Sequence, residues 1–195
     1  MTSLIEDKEI LTKEELDYID DNIINGDLPW FYQDCSTSKK FPFYSHTIVP
    51  RYNLETESPK VNSKLYYFFY DILEKFCDKH NLELNRVLRM SLNSNHSCDF
   101  SDHSDIHIDH IEPHHSVIIY LNDDFDGGRT FVLDKFYCEG MKVHYDLEED
   151  ISDFNIMYAA EAEKGKVLCF NGHIFHAVEW PKSNKRRVVC VITFD

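Results

Sequence analysis

The chain reads as an α+β fold in which helices near the N-terminus pack on one sheet of a strand sandwich or barrel. Three observations predict it. Apolar residues recur at helical spacing in the first part of the sequence. After Asn85 the period changes to two, with Leu88, Met90 and Leu92 alternating with Val87, Arg89 and Ser91. Short strand-like runs then follow one another between turn residues, the pattern of a sandwich or barrel. Helices first and strands after make the class α+β, because the apolar stripe of each helix must cover an apolar sheet face.

The elements follow in order. Thr12-Lys13-Glu14-Glu15 has the form of a capping box. Leu16, Ile19 and Ile23 then keep helical spacing, and Gly26 ends the helix. Residues 27–58 read as irregular, broken by Pro29, Pro42 and Pro50 and by a polar stretch at 36–40. Their aromatics (Trp30, Phe31, Tyr32, Phe41, Phe43, Tyr44) either pin a loop to the core or line a substrate lid. Ser58 and Pro59 make an N-cap and first-turn pair. Val61, Leu65, Phe68, Phe69, Ile72, Leu73 and Phe76 extend from it as one amphipathic helix to about His80. Strands are expected at 105–110, 116–121, 129–133, 141–145, 165–170, 174–180 and 187–194. The whole chain, 1–195, is expected to form a single domain: 1–84 as mainly helical and loop support, 85–195 as the strand core.

Composition narrows the function. At 195 residues the chain is long enough to bury one substantial core. No apolar run nears the roughly 20 residues of a membrane span, and the first residues are too polar for a signal-peptide core. The six cysteines form no C-x-x-C pair and read as buried free thiols, which suits a reducing cytoplasm. A net charge of -15 argues against a general nucleic-acid binder, which needs a basic face for phosphates. The acidic stretch from Asp146 to Asp153 reads as a solvated loop.

The chemistry concentrates in His107-Ile108-Asp109 and His176. On a strand, residues i and i+2 share a face, so His107 and Asp109 point together while Ile106 and Ile108 point into the fold. A distant His closing on this pair makes a two-His-one-carboxylate face, which leaves open positions on a non-haem Fe(II). Two rivals exist. His103-Ser104-Asp105 repeats the H-x-D spacing but lies in a polar, loop-like run, and His173 competes with His176 from within a turn. Downstream, Arg187 heads an apolar strand beside Arg186; one of the two faces inward, and a buried Arg needs an anionic partner.

The order of these motifs carries a resemblance over roughly residues 85–195. H-x-D at 107–109 is followed by Tyr120-Leu121-Asn122 and the turn before Arg129-Thr130-Phe131 at Gly127-Gly128. Then come Gly165-x-x-Leu168-x-Phe170, His176 and Arg187. The chain resembles the Fe(II)/2-oxoglutarate-dependent dioxygenases, within them the prolyl 4-hydroxylase-like group. The resemblance implies a double-stranded β-helix (jelly roll). It implies Fe(II) held by His107, Asp109 and His176, with 2-oxoglutarate as cosubstrate and O2 as oxidant. Arg187 then holds the distal carboxylate of 2-oxoglutarate, with the Tyr120 hydroxyl beside it, and Arg186 remains the alternative by one residue. The implied reaction is hydroxylation of a prolyl or other peptidyl residue with release of succinate and CO2. A free amino acid or other small molecule is the alternative substrate, and a non-catalytic metal-binding jelly roll the alternative of another class.

The sequence departs from the family's pattern at one place. The strand before the H-x-D offers Arg89, Ser91 and Asn93 where the family often has a Tyr, which leaves part of the cosubstrate pocket unassigned. Specificity is expected in the loops at 27–58 and 146–164. The aromatics from Trp30 to Tyr44 are expected to border the open face of the iron, and the acidic surface to draw in a basic peptide.

Overall fold

A computed structural model describes residues 4–34, 41–51, 60–99, 101–146 and 152–195. Two antiparallel sheets carry the architecture. In spatial order the larger contains β1 (Ile5–Asp7), β10 (Val167–Asn171), β6 (His115–Tyr120), β12 (Arg187–Phe194), β4 (Val87–Asn95), β3 (Phe43–Val49) and β2 (Phe31–Gln33). The smaller contains β8 (His144–Tyr145), β5 (Ile106–His107), β11 (Ile174–Val178), β7 (Thr130–Phe136) and β9 (Ile156–Ala160). Spatial neighbours are mostly distant in sequence, the connectivity of a jelly-roll-like double sheet.

The sheets face each other. Ile118, Tyr120, Leu168, Phe170 and Val189 of the larger meet Val132, Ala160 and Ile174 of the smaller in one buried cluster. The outer face of the larger sheet is also covered. Met90, Leu92, Val117, Ile119, Cys190 and Ile192 form a second cluster with Ile19, Ile23, Phe69, Ile72 and Phe76 from the helical segments. β12 is therefore buried on both faces along most of its length. That explains its near-continuous apolar sequence and makes Arg187 conspicuous.

The first helix, α1 (Lys13–Ile19), begins where the capping box places it. Glu15 N–H donates to Thr12 Oγ1 at 3.2 Å and Thr12 N–H to Glu15 Oε2 at 2.8 Å. It continues as a π-helical turn, Asp20–Ile24. Gly26 lies so close to the chain behind it that a Cβ there would sit 2.7 Å from the Asp21 and Asn22 carbonyl oxygens. The second helix, α2 (Leu65–His80), ends at Asn81 in the left-handed region. It begins later than the sequence suggests: Val61 precedes it and is exposed. The expected cap at Ser58-Pro59 lies outside the described residues.

Four strands escape the sequence reading. Within the segment read as irregular, β2 and β3 add two strands to the larger sheet, and β1 adds a third at its other edge. β9 occupies part of the presumed loop at 146–164. β1, β2 and β9 are edge strands, which pack on fewer neighbours and carry little of the alternation that marks a strand. β3 is internal, but Pro42 and Pro50 stand just outside it and disguise it as loop. Of the strand expected at 105–110, only β5 is regular. Cys77, Cys169 and Cys190 are buried free thiols, Cys98 and Cys138 are free and more exposed, and Cys35 lies outside the described residues. No described helix is long and apolar enough to cross a membrane.

Candidate metal centre and carboxylate pocket

Strand pairing builds the centre. β5 and β11 are neighbours, and their register sets His176 opposite His107, with ring centroids 4.4 Å apart. Asp109 follows just past β5. One donor atom from each of His107, Asp109 and His176 lies within 4.8 Å of the others. His107 Nδ1 bonds the Asp105 carbonyl at 3.1 Å and His176 Nδ1 the Ile174 carbonyl at 3.2 Å. A carbonyl only accepts, so in each ring Nδ1 carries the proton and Nε2 keeps its lone pair. That is how a backbone carbonyl prepares a histidine to bind a metal.

The electrostatics keep the donors in binding form. Burial alone would raise the Asp109 carboxyl, but His176, Arg89, His107 and Arg51 outweigh it and hold the group well below the usual carboxylate range. Arg89 Nη1 donates to Asp109 Oδ1 at 3.2 Å and Ser116 Oγ to Oδ2 at 3.3 Å. Burial, reinforced by His176, pushes His107 down to about 3. A neutral imidazole beside an ionised carboxylate is the state that metal coordination requires. Two imidazoles and one carboxylate also form the donor set suited to non-haem iron.

Arg187 lies on the wall of the same cavity, only 1% exposed. Its Nε donates to the Gly128 carbonyl at 2.7 Å, Nη2 to Thr130 Oγ1 at 3.0 Å and Nη1 to Asn95 Oδ1 at 3.4 Å. The Tyr120 hydroxyl donates to the same Thr130 oxygen at 2.7 Å. Among the described residues, no salt bridge to Arg187 forms. Its guanidinium is thus buried and hydrogen-bonded to neutral groups only, a costly arrangement until an anion arrives. Arg186 points the other way. It stacks over Trp30, 5.0 Å from the ring centroid, and donates to the Ile24 carbonyl.

No protein-family model matches this chain, and no curated protein matches it by sequence. Solved structures do match in fold. An oxidoreductase of the 2OG-Fe(II) oxygenase family from Burkholderia pseudomallei superposes with a TM-score of 0.65 at 18% identity, covering 99% of this chain and 84% of that one. The fold is that of the 2-oxoglutarate–iron(II) oxygenases. The non-heme alpha ketoglutarate dependent epimerase SnoN of nogalamycin biosynthesis gives 0.66 at 8% identity, covering 100% and 79%. A prolyl-4-hydroxylase from Pseudomonas putida gives 0.57 at 12% identity, covering 100% and 92%.

On this oxygenase fold the rival residues fall elsewhere. His103 bonds the Ser104 carbonyl through Nδ1, and Asp105 is buried against His144 at 3.2 Å, so the upstream H-x-D is not part of the centre. His173 bonds the Ile111 carbonyl. Several cavity residues go without a role in the sequence reading. Asn95, Thr130 and the Gly128 carbonyl hold Arg187, and Arg51 lies in a segment read as loop. The polar alternation along β4 was the available clue, since Arg89, Asn93 and Asn95 all turn into the cavity. The aromatic segment divides. Phe43 lines the cavity, and Tyr44 lines an adjoining groove with Tyr32, Phe41 and Trp180. Trp30 packs instead against the helical core with Arg186, so it is no part of the open face.

Proposed function

We propose that this chain is an Fe(II)- and 2-oxoglutarate-dependent dioxygenase that hydroxylates its substrate with release of succinate and CO2. One observation carries the reading. A buried guanidinium with no carboxylate partner among the described residues, Arg187, shares a cavity with two imidazoles and a carboxylate poised to bind a metal. A structural metal site has no use for such an arginine, which argues against a non-catalytic module.

His107 and His176 would hold iron through Nε2, and Asp109 through a carboxylate oxygen. Bound there with 2-oxoglutarate, iron supplies the activation of O2 that a protein side chain cannot. The chain itself supplies position and exclusion of water. Arg187 grips the distal carboxylate of 2-oxoglutarate in a fork of N–H donors and fixes the direction from which the molecule reaches the metal. Tyr120 and Thr130 hold the guanidinium in place. Ile118, Phe170, Val178, Val189 and Trp180 wall the cavity with apolar surface, which strengthens the ion pair.

A prolyl or other peptidyl residue is the proposed substrate, supported by the likeness to the prolyl-4-hydroxylase. A free amino acid or other small molecule is the second reading, supported by the likeness to SnoN. A single domain working in the cytoplasm completes the proposal. The test is iron-dependent formation of succinate from 2-oxoglutarate by the purified chain. Absence of succinate with iron, ascorbate and O2 present, together with no binding of 2-oxoglutarate to the metal-loaded chain, would refute it.

A further inference from the structure

Two cations of the cavity have no part in gripping 2-oxoglutarate through Arg187. Among the described residues, the charged groups lining it are Arg51, Arg89, Arg187 and Asp109, three positive against one negative, an excess of two. Iron(II) adds two positive charges and dianionic 2-oxoglutarate removes two, so the excess persists in the loaded site. Arg51 and Arg89 both converge on Asp109 Oδ1, at 3.6 and 3.2 Å. Arg51 also donates to the Asp109 backbone carbonyl. Among the described residues, one carboxylate that must also face His176 leaves two adjacent guanidiniums short of counter-charge.

The two arginines also line a second hollow, which opens beside the first. It has a volume of about 200 Å³ and is bordered by Gln33, Ser45, Thr47 and Ser91 together with Arg51 and Arg89. The Arg51 side chain is 53% exposed and that of Arg89 only 17%, so they make a graded path from solvent towards the centre. We propose that the substrate carries a carboxylate, held by Arg51 and Arg89, with its remaining polar groups against the hydroxyls and amide of this hollow. Guanidinium forks match a carboxylate in charge and in shape. The substrate class is thus a carboxylic acid, where the acidic surface had pointed to a basic peptide. Local charge decides here, because the overall charge acts from a distance and is screened within about 8 Å at physiological salt. The proposal rests on the dioxygenase reading for what happens to the acid once bound.

Calorimetric titration of the full chain, loaded with Mn(II) and the unreactive 2-oxoglutarate analogue N-oxalylglycine, tests it. The probe is N-acetylglycine, its matched neutral control N-acetylglycinamide, and the rival anion inorganic phosphate. Saturable binding of the acid is expected, with the amide far weaker. Arg51→Gln should weaken the acid about tenfold or more, as loss of a charge-assisted contact does, while Mn(II) and N-oxalylglycine still bind. Equal affinity for acid and amide, no saturable binding of the acid, binding of phosphate alone, or an unchanged affinity in Arg51→Gln each overturns the proposal. So does loss of Mn(II) binding in that variant, which would mean that Arg51 is committed to the metal ligand Asp109 and not available to a substrate. If N-oxalylglycine itself fails to bind, the dioxygenase reading fails. The comparison of acid with amide, run also without N-oxalylglycine, still decides this one.

Discussion

Arg187 and Tyr120 share a single acceptor: the guanidinium and the phenol both donate to Thr130 Oγ1, at 3.0 and 2.7 Å. The three side chains come from β12, β6 and β7, so both sheets contribute to one buried hydrogen-bonded unit. The guanidinium also lies 5.3 Å from the Tyr120 ring centroid, close enough for cation–π attraction.

Arg187→Gln should raise the KM for 2-oxoglutarate well over tenfold while Mn(II) binding persists, since a desolvated charge pair is worth roughly 2–5 kcal/mol. Tyr120→Phe and Thr130→Val should have smaller effects, because each removes a neutral group that only positions the cation. Arg186→Ala should leave that KM unchanged. Steady-state succinate assays across a 2-oxoglutarate series check all four, and a large effect at Arg186 alone would contradict the inward register of Arg187.

Metal binding should depend on His107, Asp109 and His176 and on neither rival. In Mn(II) titrations His107→Ala, Asp109→Ala and His176→Ala should each lose tight binding and iron-dependent turnover. His103→Ala and His173→Ala should retain both, because those imidazoles bond backbone carbonyls away from the centre. An inactive His103→Ala that still folds would shift the ligand set upstream.

Acid should destabilise the metal-free chain. Burial lowers His107 to about 3 and His110 to about 4, from an ordinary 6.5. Between those values and 6.5 the unfolded chain binds protons that the folded chain does not. Stability therefore falls as pH drops through that window, by up to about 1.4 kcal/mol per pH unit for each group. Above 6.5 both rings are neutral in both states and add no slope. Asp109, held below its ordinary range, adds a loss of the same sign once pH falls into the carboxylate range. The urea midpoint should accordingly be lower at pH 5 than at pH 7, and His110→Gln should flatten the difference. A flat wild-type profile would show that the rings are not buried as neutral species.

Gly128→Ala should harm stability and cosubstrate binding together. Gly128 has φ +75°, and a Cβ there would lie 2.4 Å from the Phe125 ring and 3.2 Å from Arg187 Cδ. Its carbonyl is also the acceptor for Arg187 Nε. A loss of about 1–3 kcal/mol is expected from the strained backbone, measured by urea unfolding, with a raised KM for 2-oxoglutarate. Gly140→Ala is the control: its φ is also positive, but a Cβ there meets nothing within 4 Å and Arg187 is untouched.

Local patterns in the sequence determined much of this protein. The capping box at Thr12 marks the start of α1, because capping is settled by residues within one turn of each other. The two-residue period of extended chain accounts for the i, i+2 pairing of His107 with Asp109 and for one of Arg186 and Arg187 facing inward; which of the two does so needed the fold. What needed the tertiary structure was everything set by neighbours distant in sequence. β3 pairs with β4 across more than a helix's length of chain, and no local alternation announces it. The contrast between His107 and His103 is decided by which ring comes to stand opposite His176. The lack of a carboxylate beside Arg187 among the described residues, and the two guanidiniums crowding Asp109, belong to the packing of the two sheets. Net charge sums over the chain, whereas the charge of a cavity depends on which few side chains the fold turns into it. An acidic sequence can therefore enclose a cationic pocket, and only the folded chain shows that it does.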